Sequence, residues 1–367
     1  MDDIHAGEIV IPCSPFDETV SFFVNELKFQ IKTISPADDP SVIVVFGYGL
    51  TLRLERSNDN NNNNQSNRLR LFVNENPREI IAPNGTRIEL VQFSEEPCLP
   101  SIKQSLVITK LNDDAQWIKG RAGMFYRDLI PGRQGGRFIG SHIKIIDGGP
   151  VNDHVHYHNI RFQMIYVYQG WVRLVYEDQG DEFVLHAGDC VLQPPLIRHR
   201  VLESSAQLQV IEIACPAVHD TFIDHQLTLP NRNLNFDRNF HGQYFLKYLA
   251  NQSKTSSKPW RLPAFTYRDI GIGKATNGLA GARIIQNADG KQSVACKHQA
   301  EFVFLFVLCG QISLNLDEQE TIEILDQGDS FVLPENLFYS LENPSNDLQI
   351  LEVSLPDTFE FILRNNK

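Results

Sequence analysis

Apolar residues along this chain fall in short Val-, Ile-, Leu- and Phe-rich runs separated by Gly, Pro, Asn and Asp, as in "SVIVVFGYG", "LTLRLER", "RFIGSHIKII", "WVRLVYED" and "LQVIEIA". Short runs with that punctuation predict β-strands. Two stretches carry a helical signal. "PFDETVSFFVNEL" (15–27) opens on a proline with acids in its first turn, and "QYFLKYLANQ" near residue 245 has apolar positions at helical spacing. The predicted class is mainly β.

The pattern also returns on itself. "FYRDLIPGRQGGRFIGSHIKI" at 125 recurs as "TYRDIGIGKATNGLAGARII" at 266, "GDCVLQPP" at 188 as "GDSFVLPE" at 328, and "LQVIEIACP" at 208 as "LQILEVSLP" at 348. The last two pairs are 140 positions apart (328 − 188 and 348 − 208), as are Gly170 and Gly310. A repeat of this kind predicts two copies of one all-β unit. The implied division is a first module over 1–100, a first barrel over 121–225, a linker over 226–262 and a second barrel over 263–367. Residues 57–67, "SNDNNNNNQSN", cannot bury apolar surface and read as a disordered insertion in a hairpin.

Composition sets limits. A 367-residue chain that is 42% hydrophobic and 21% charged is that of a globular protein of more than one domain. A net charge of −12 argues against a nucleic-acid partner, and the lack of a long apolar run argues against a membrane span. The acidic N-terminus has no basic segment followed by an apolar one, and six cysteines stand without CxxC pairs. Both features lead us to expect a cytoplasmic protein with mostly buried thiols.

The chemistry concentrates in "DHVHYHNIRFQMIYVYQG", residues 153–170. On a strand, His154, His156 and His158 share one face and Val155 and Tyr157 the other. Such a row can grip an ion or merely be a polar strand face. In this chain it comes with His156-x-His158-x4-Gln163-x6-Gly170 and, further on, Gly188-x5-Pro194-x4-His199.

These two spacings resemble the motifs of the cupin superfamily, over roughly residues 121–220 and more weakly over 263–357. The resemblance implies two tandem cupin (double-stranded β-helix, jelly-roll) barrels. It also makes His156, His158, Gln163 and His199 the metal positions of barrel 1. The sequence departs from the motifs at Gln163, where a Glu is usual, at Leu196 for a Gly, and at Glu203 for an Asn. A neutral amide cancels none of the ion's charge, so whether Gln163 ligates or leaves three histidines with open positions stays undecided. His154 reads as a rim residue or an occasional substitute for one of the pair. At the 140-residue offset, His156, His158, Gln163 and His199 become Cys296, His298, Val303 and Tyr339, so barrel 2 reads as having lost its site, Glu301 being the one carboxylate nearby.

The first module reads strand, helix, strand, strand, strand, then "PNGTRIELVQF" (83–93). It resembles the glyoxalase-like (vicinal oxygen chelate) βαβββ module, with Phe22-Phe23 near the helix end and Pro83, Gly85, Glu89 and Leu90 in the closing motif. Glu8 and Glu89 fall in its metal slots, and the module reads as degenerate.

Together the resemblances imply a mononuclear-metal cupin dioxygenase or oxidoreductase of the quercetinase-like kind. It would hold one divalent ion (Fe(II), Mn, Ni or Zn) in barrel 1 and act on a small organic molecule, with a homodimer compatible with the cupin likeness. A metal-dependent isomerase or lyase working without O2, and a non-catalytic ligand-binding bicupin, are the alternatives. Tyr166 and Tyr168 lie opposite Gln163 by parity and are expected to pack outside the barrel.

Overall fold

All five runs quoted first are strands in the computed structural model, which describes residues 6–36, 39–57, 67–74, 76–92, 96–112, 115–120, 123–253, 256–288, 294–316 and 321–364. The chain divides into two units, Met1–Glu95 and Glu96–Lys367.

In the first unit, strand Ile9–Cys13 leads into a helix over Phe16–Ser21 that widens into a π-helical turn, Phe22–Glu26. Three further strands, Gln30–Ser35, Val42–Gly47 and Leu50–Arg56, complete a four-stranded sheet, in which Ile9–Cys13 runs parallel to Leu50–Arg56. This is the βαβββ order read from the sequence. A second sheet holds Arg68–Val73, Arg87–Gln92 and Arg78–Ile81, and Phe23, Phe29, Val45, Leu52 and Ile88 fill the core between the sheets. Most of the asparagine tract lies outside the described residues. Its flanking strands, Leu50–Arg56 and Arg68–Val73, belong to different sheets, so it does not close a hairpin between them.

The second unit contains the two repeats as two barrels. In barrel 1 a seven-stranded sheet includes Cys190–Leu192, Phe162–Gln169, Leu208–Cys215 and Ile139–Ile145 in that order. The facing sheet runs Phe183–His186, Trp171–Tyr176, His199–Ser204, His156–His158, Thr221–Ile223. Barrel 2 repeats the arrangement with Ser330–Val332, Phe302–Cys309, Gln349–Leu355 and Gly281–Asn287. The copies share backbone bonds at equivalent positions. Val167 N donates to Asp189 O and Val307 N to Asp329 O, while Gln193 N donates to Gln163 O and Leu333 N to Val303 O. Both long strands break register at the same place, between Val167 and Gln169 and between Val307 and Cys309.

The large sheets pack against each other. Phe162, Met164 and Tyr166 of barrel 1 share one core with Phe302, Phe304 and Phe306 of barrel 2, and Phe138 stacks on Phe302 at 4.0 Å. Strand Phe162–Gln169 is therefore buried on both faces, which is why its sequence shows no polar alternation. Tyr166 and Tyr168 do face out of barrel 1, but onto barrel 2, with Tyr166 buried and Tyr168 edge-on to Phe306.

The helix expected near residue 245 is not formed. Leu246–Tyr248 is instead an edge strand on Cys190–Leu192, and Val107–Thr109 caps the equivalent edge, Ser330–Val332, of barrel 2. An unpaired sheet edge offers backbone partners that a local helical pattern cannot register, and Phe, Leu and Tyr suit a strand as readily as a helix.

Candidate metal centre

Barrel 1 encloses a cavity of about 300 Å³, walled mainly by Ile, Val and Leu side chains from both sheets. His156, His158 and His199 line it, all buried, with one ring nitrogen of each lying within 4.8 Å of the others. Alternation sets His156 and His158 on the inner face, and direct pairing of His156 with His199 across the strands brings in the third ring. Among the described residues this is the sole cluster of three or more His, Cys, Asp or Glu with such convergence.

The tautomers follow from backbone carbonyls, which can only accept. His156 Nδ1 faces His154 O at 2.7 Å, His158 Nδ1 faces Asp220 O at 3.1 Å, and His199 Nδ1 faces Ile197 O at 3.0 Å. Each Nδ1 must therefore carry the proton, making Nε2 the lone-pair nitrogen of all three rings. Metal-ligating histidines are oriented in this way. His156 Nδ1 also lies 3.6 Å from the buried carboxylate of Asp153.

Gln163 is buried and lines the same cavity. Its Nε2 donates to Glu212, while its buried Oε1 has no hydrogen-bond partner. An orphaned buried acceptor beside three imidazole lone pairs fits a cation. His154 supplies its carbonyl, but its ring is exposed, 6.1 Å from that of His225. Tyr157 lies on the outer face, stacked on Phe222 and beneath Arg198. Sequence reasoning missed Glu212 and His219. His219 lines the cavity with its ring 5.2 Å from that of His158. Neither belongs to a motif, and only the strand register places Glu212 inward.

Barrel 2 has the same frame with different chemistry. Cys296 is buried against Tyr339 O, and burial pushes its thiol up to about 12. Both ring nitrogens of His298 are engaged: Nδ1 accepts from Ala300 N and Nε2 donates to Leu333 O. A cation is nevertheless present, as a side chain. The part-buried Arg261 guanidinium pairs with the fully buried Glu352, to which Arg283 also donates, and its charge acts on Tyr339, Cys296 and His298. An arginine charge thus bears on the three residues that correspond to the histidines of barrel 1. Glu301 faces the other way, tying Arg137 and Arg161 of barrel 1 across the interface.

In the first unit, Glu89 is paired with Arg68 and Arg70, and Glu8 with Arg53. The two carboxylates meet arginines, and the described residues form no metal-type cluster there.

No protein-family model matches the chain, and no curated protein matches it. Solved structures do. The oxalate decarboxylase of Lactobacillus farciminis in its formate complex has a TM-score of 0.50 at 13% identity, covering 73% of this chain and 90% of that one. A mutant of Bacillus subtilis oxalate decarboxylase has a TM-score of 0.50 at 12% identity, with coverage of 74% and 82%. An oxalate decarboxylase studied for an element that modulates proton-coupled electron transfer has 0.51 at 10%, again with coverage of 74% and 82%. At such identities the likeness concerns the fold. It is the bicupin fold, mainly β, with two tandem cupin barrels.

Proposed function

We propose that barrel 1 is the catalytic module of a metal-dependent cupin enzyme acting on a small organic molecule with an apolar body and a chelating oxygen group. The observation that carries this reading is the convergence of three buried histidines, each with Nδ1 committed to a carbonyl, inside a largely apolar cavity. A divalent first-row ion (Fe(II), Mn, Ni or Zn) held by His156, His158 and His199, with Gln163 beside them, would supply Lewis acidity and open coordination positions. The chain's own residues do the rest. The carbonyls of His154, Ile197 and Asp220 fix the rings, Ile and Val walls exclude water, and Ser141, Gln193 and His219 offer polar contacts to a substrate. The described lining has no lysine or arginine, so an anionic group on the substrate would have to face the ion rather than a side chain.

In the finer reading the reaction is a dioxygenation or related oxidation, since an apolar cavity admits dioxygen as readily as substrate. A second reading, a lyase or isomerase working without O2, draws support from the neutral Gln163, which leaves the ion a stronger Lewis acid, and from structural neighbours that are decarboxylases. Metal content measured by plasma mass spectrometry, wild type beside the His156→Ala/His158→Ala variant, tests the centre. We expect about one ion per chain, lost in the variant. A wild type that holds no ion after loading with Fe(II), Mn(II), Ni(II) and Zn(II) would end both readings. Oxygen uptake during turnover then separates them.

A further inference from the structure

We propose that Glu212 is a positioning residue for the ion of barrel 1: it turns the Gln163 amide oxygen toward the ion and returns the negative charge that glutamine at that position lacks. The inference rests on the reading of barrel 1 as a metal centre. A carboxylate only accepts hydrogen bonds, so the amide edge next to Glu212 must be the NH2 group, and Oε1 must be on the other side. That oxygen is the buried acceptor without a partner. The strand register sets the two side chains next to each other. Gln163 pairs with Ala214 and Ile165 with Glu212, so residues 163 and 212 are diagonal neighbours on the inner face. Both line the cavity together with the three histidines.

Barrel 2 supplies an internal comparison. Glu352 stands 140 positions after Glu212 and pairs across the strands in the same way, with Leu305 for Ile165 and Arg283 for Ser141. There Val303 replaces the glutamine, and the carboxylate holds the cation of its barrel, Arg261, directly. In barrel 1 the serine opposite Glu212 leaves room for the cavity, and no Lys or Arg among the described residues pairs with Glu212. The same inward position thus carries a carboxylate in both barrels, facing an arginine in one and, through Gln163, a divalent ion in the other. A carboxylate that accepts a hydrogen bond from a ligand raises that ligand's donor strength, and losing such a partner typically weakens metal binding about 10–100-fold.

The test is Mn(II) titration followed by electron paramagnetic resonance, using the full chain as wild type, Glu212→Gln, Glu212→Ser, and Gln163→Glu/Glu212→Gln, which moves the carboxylate back to position 163. Thermal melts of each chain without added ion establish which variants fold. We expect both Glu212 variants to bind Mn(II) about 10–100-fold more weakly with an altered zero-field splitting, and the double variant to recover most of the affinity. The serine variant carries the test should Glu212→Gln misfold. Unchanged affinity and spectrum in the folded Glu212 variants would overturn the assignment of Glu212 while leaving the metal centre standing. A wild type that binds no Mn(II) or other first-row ion would overturn both.

Discussion

His199 shows how a single residue separates a candidate ion site from a polar strand face. Without it, His156 and His158 are two imidazoles on a strand; with it, the three rings surround a common point. His199→Ala is expected to abolish binding at that point, with the ion content falling from about one per chain to background and the fold retained. Ion content unchanged in that variant would place the ion elsewhere. The motif spacing made these three residues legible, because local strand geometry fixes HxH and a Gly- and Pro-anchored turn fixes the return. Arg261 was not legible. It sits in the stretch read as linker, and nothing in its neighbours shows that its guanidinium pairs with Glu352 of barrel 2. Removing one partner of a buried ion pair leaves a buried charge poorly compensated. Arg261→Met should therefore cost about 3–5 kcal/mol in urea unfolding. A loss under about 1 kcal/mol would mean that Arg283 alone satisfies Glu352.

At the scale of elements, the repeated Gly170 and Gly310 mark the turn between Phe162–Gln169 and Trp171–Tyr176 in barrel 1 and between Phe302–Cys309 and Gln311–Leu316 in barrel 2. Gly170 has φ +80° and Gly310 +76°. A Cβ at Gly170 would lie 2.3 Å from Ser205 Oγ and 3.3 Å from Leu208 Cα. Ser205 Oγ accepts the Trp171 amide at 3.0 Å, as Ser345 Oγ accepts that of Gln311 at 2.9 Å. Gly170→Ala would combine left-handed strain of about 1–2 kcal/mol with loss of a hydrogen bond of about 1 kcal/mol. Chemical denaturation should show a loss of about 2–3 kcal/mol, and an unchanged midpoint would mean that the turn relaxes freely. The turns were readable because only glycine suits them. The edge strands were not, since Leu246–Tyr248 and Val107–Thr109 exist only by virtue of the sheet edges they complete. Their sequences carry no record of that partner. The two-faced burial of Phe162–Gln169 was equally hidden, because parity tells inside from outside but does not reveal that the outside is another barrel.

Across the whole molecule, two histidines are buried deep, one where the large sheets of the two barrels meet and one inside barrel 2. His142, at the barrel interface, accepts from Arg127 at 3.2 Å and faces Gln209 Oε1 at 2.7 Å. Burial first, and then the charge of Arg127, pull it down from the ordinary 6.5 to about 3. Burial and then Arg261 pull His298 down to about 4. Both are neutral in the folded protein at pH 5, whereas the same side chains in the unfolded chain bind protons below about 6.5. The sign is therefore fixed: the unfolded state takes up more protons as pH falls, so the stability conferred by neutral burial is complete above about pH 6.5 and declines toward pH 3–4. Each proton contributes about 1.4 kcal/mol per pH unit, so the two histidines together remove about 4 kcal/mol between pH 7.5 and 5. Urea midpoints of wild type and His142→Gln at those two pH values isolate one of them. The variant should lose about 2 kcal/mol less on acidification than wild type, because one fewer proton separates its folded and unfolded states. An equal loss in both proteins would show that His142 is already able to take up a proton within the interface. That would contradict the arrangement in which Arg127, on a strand of barrel 1, donates to a neutral ring and to the backbone carbonyls of Lys110 and Gly328 on the side of barrel 2.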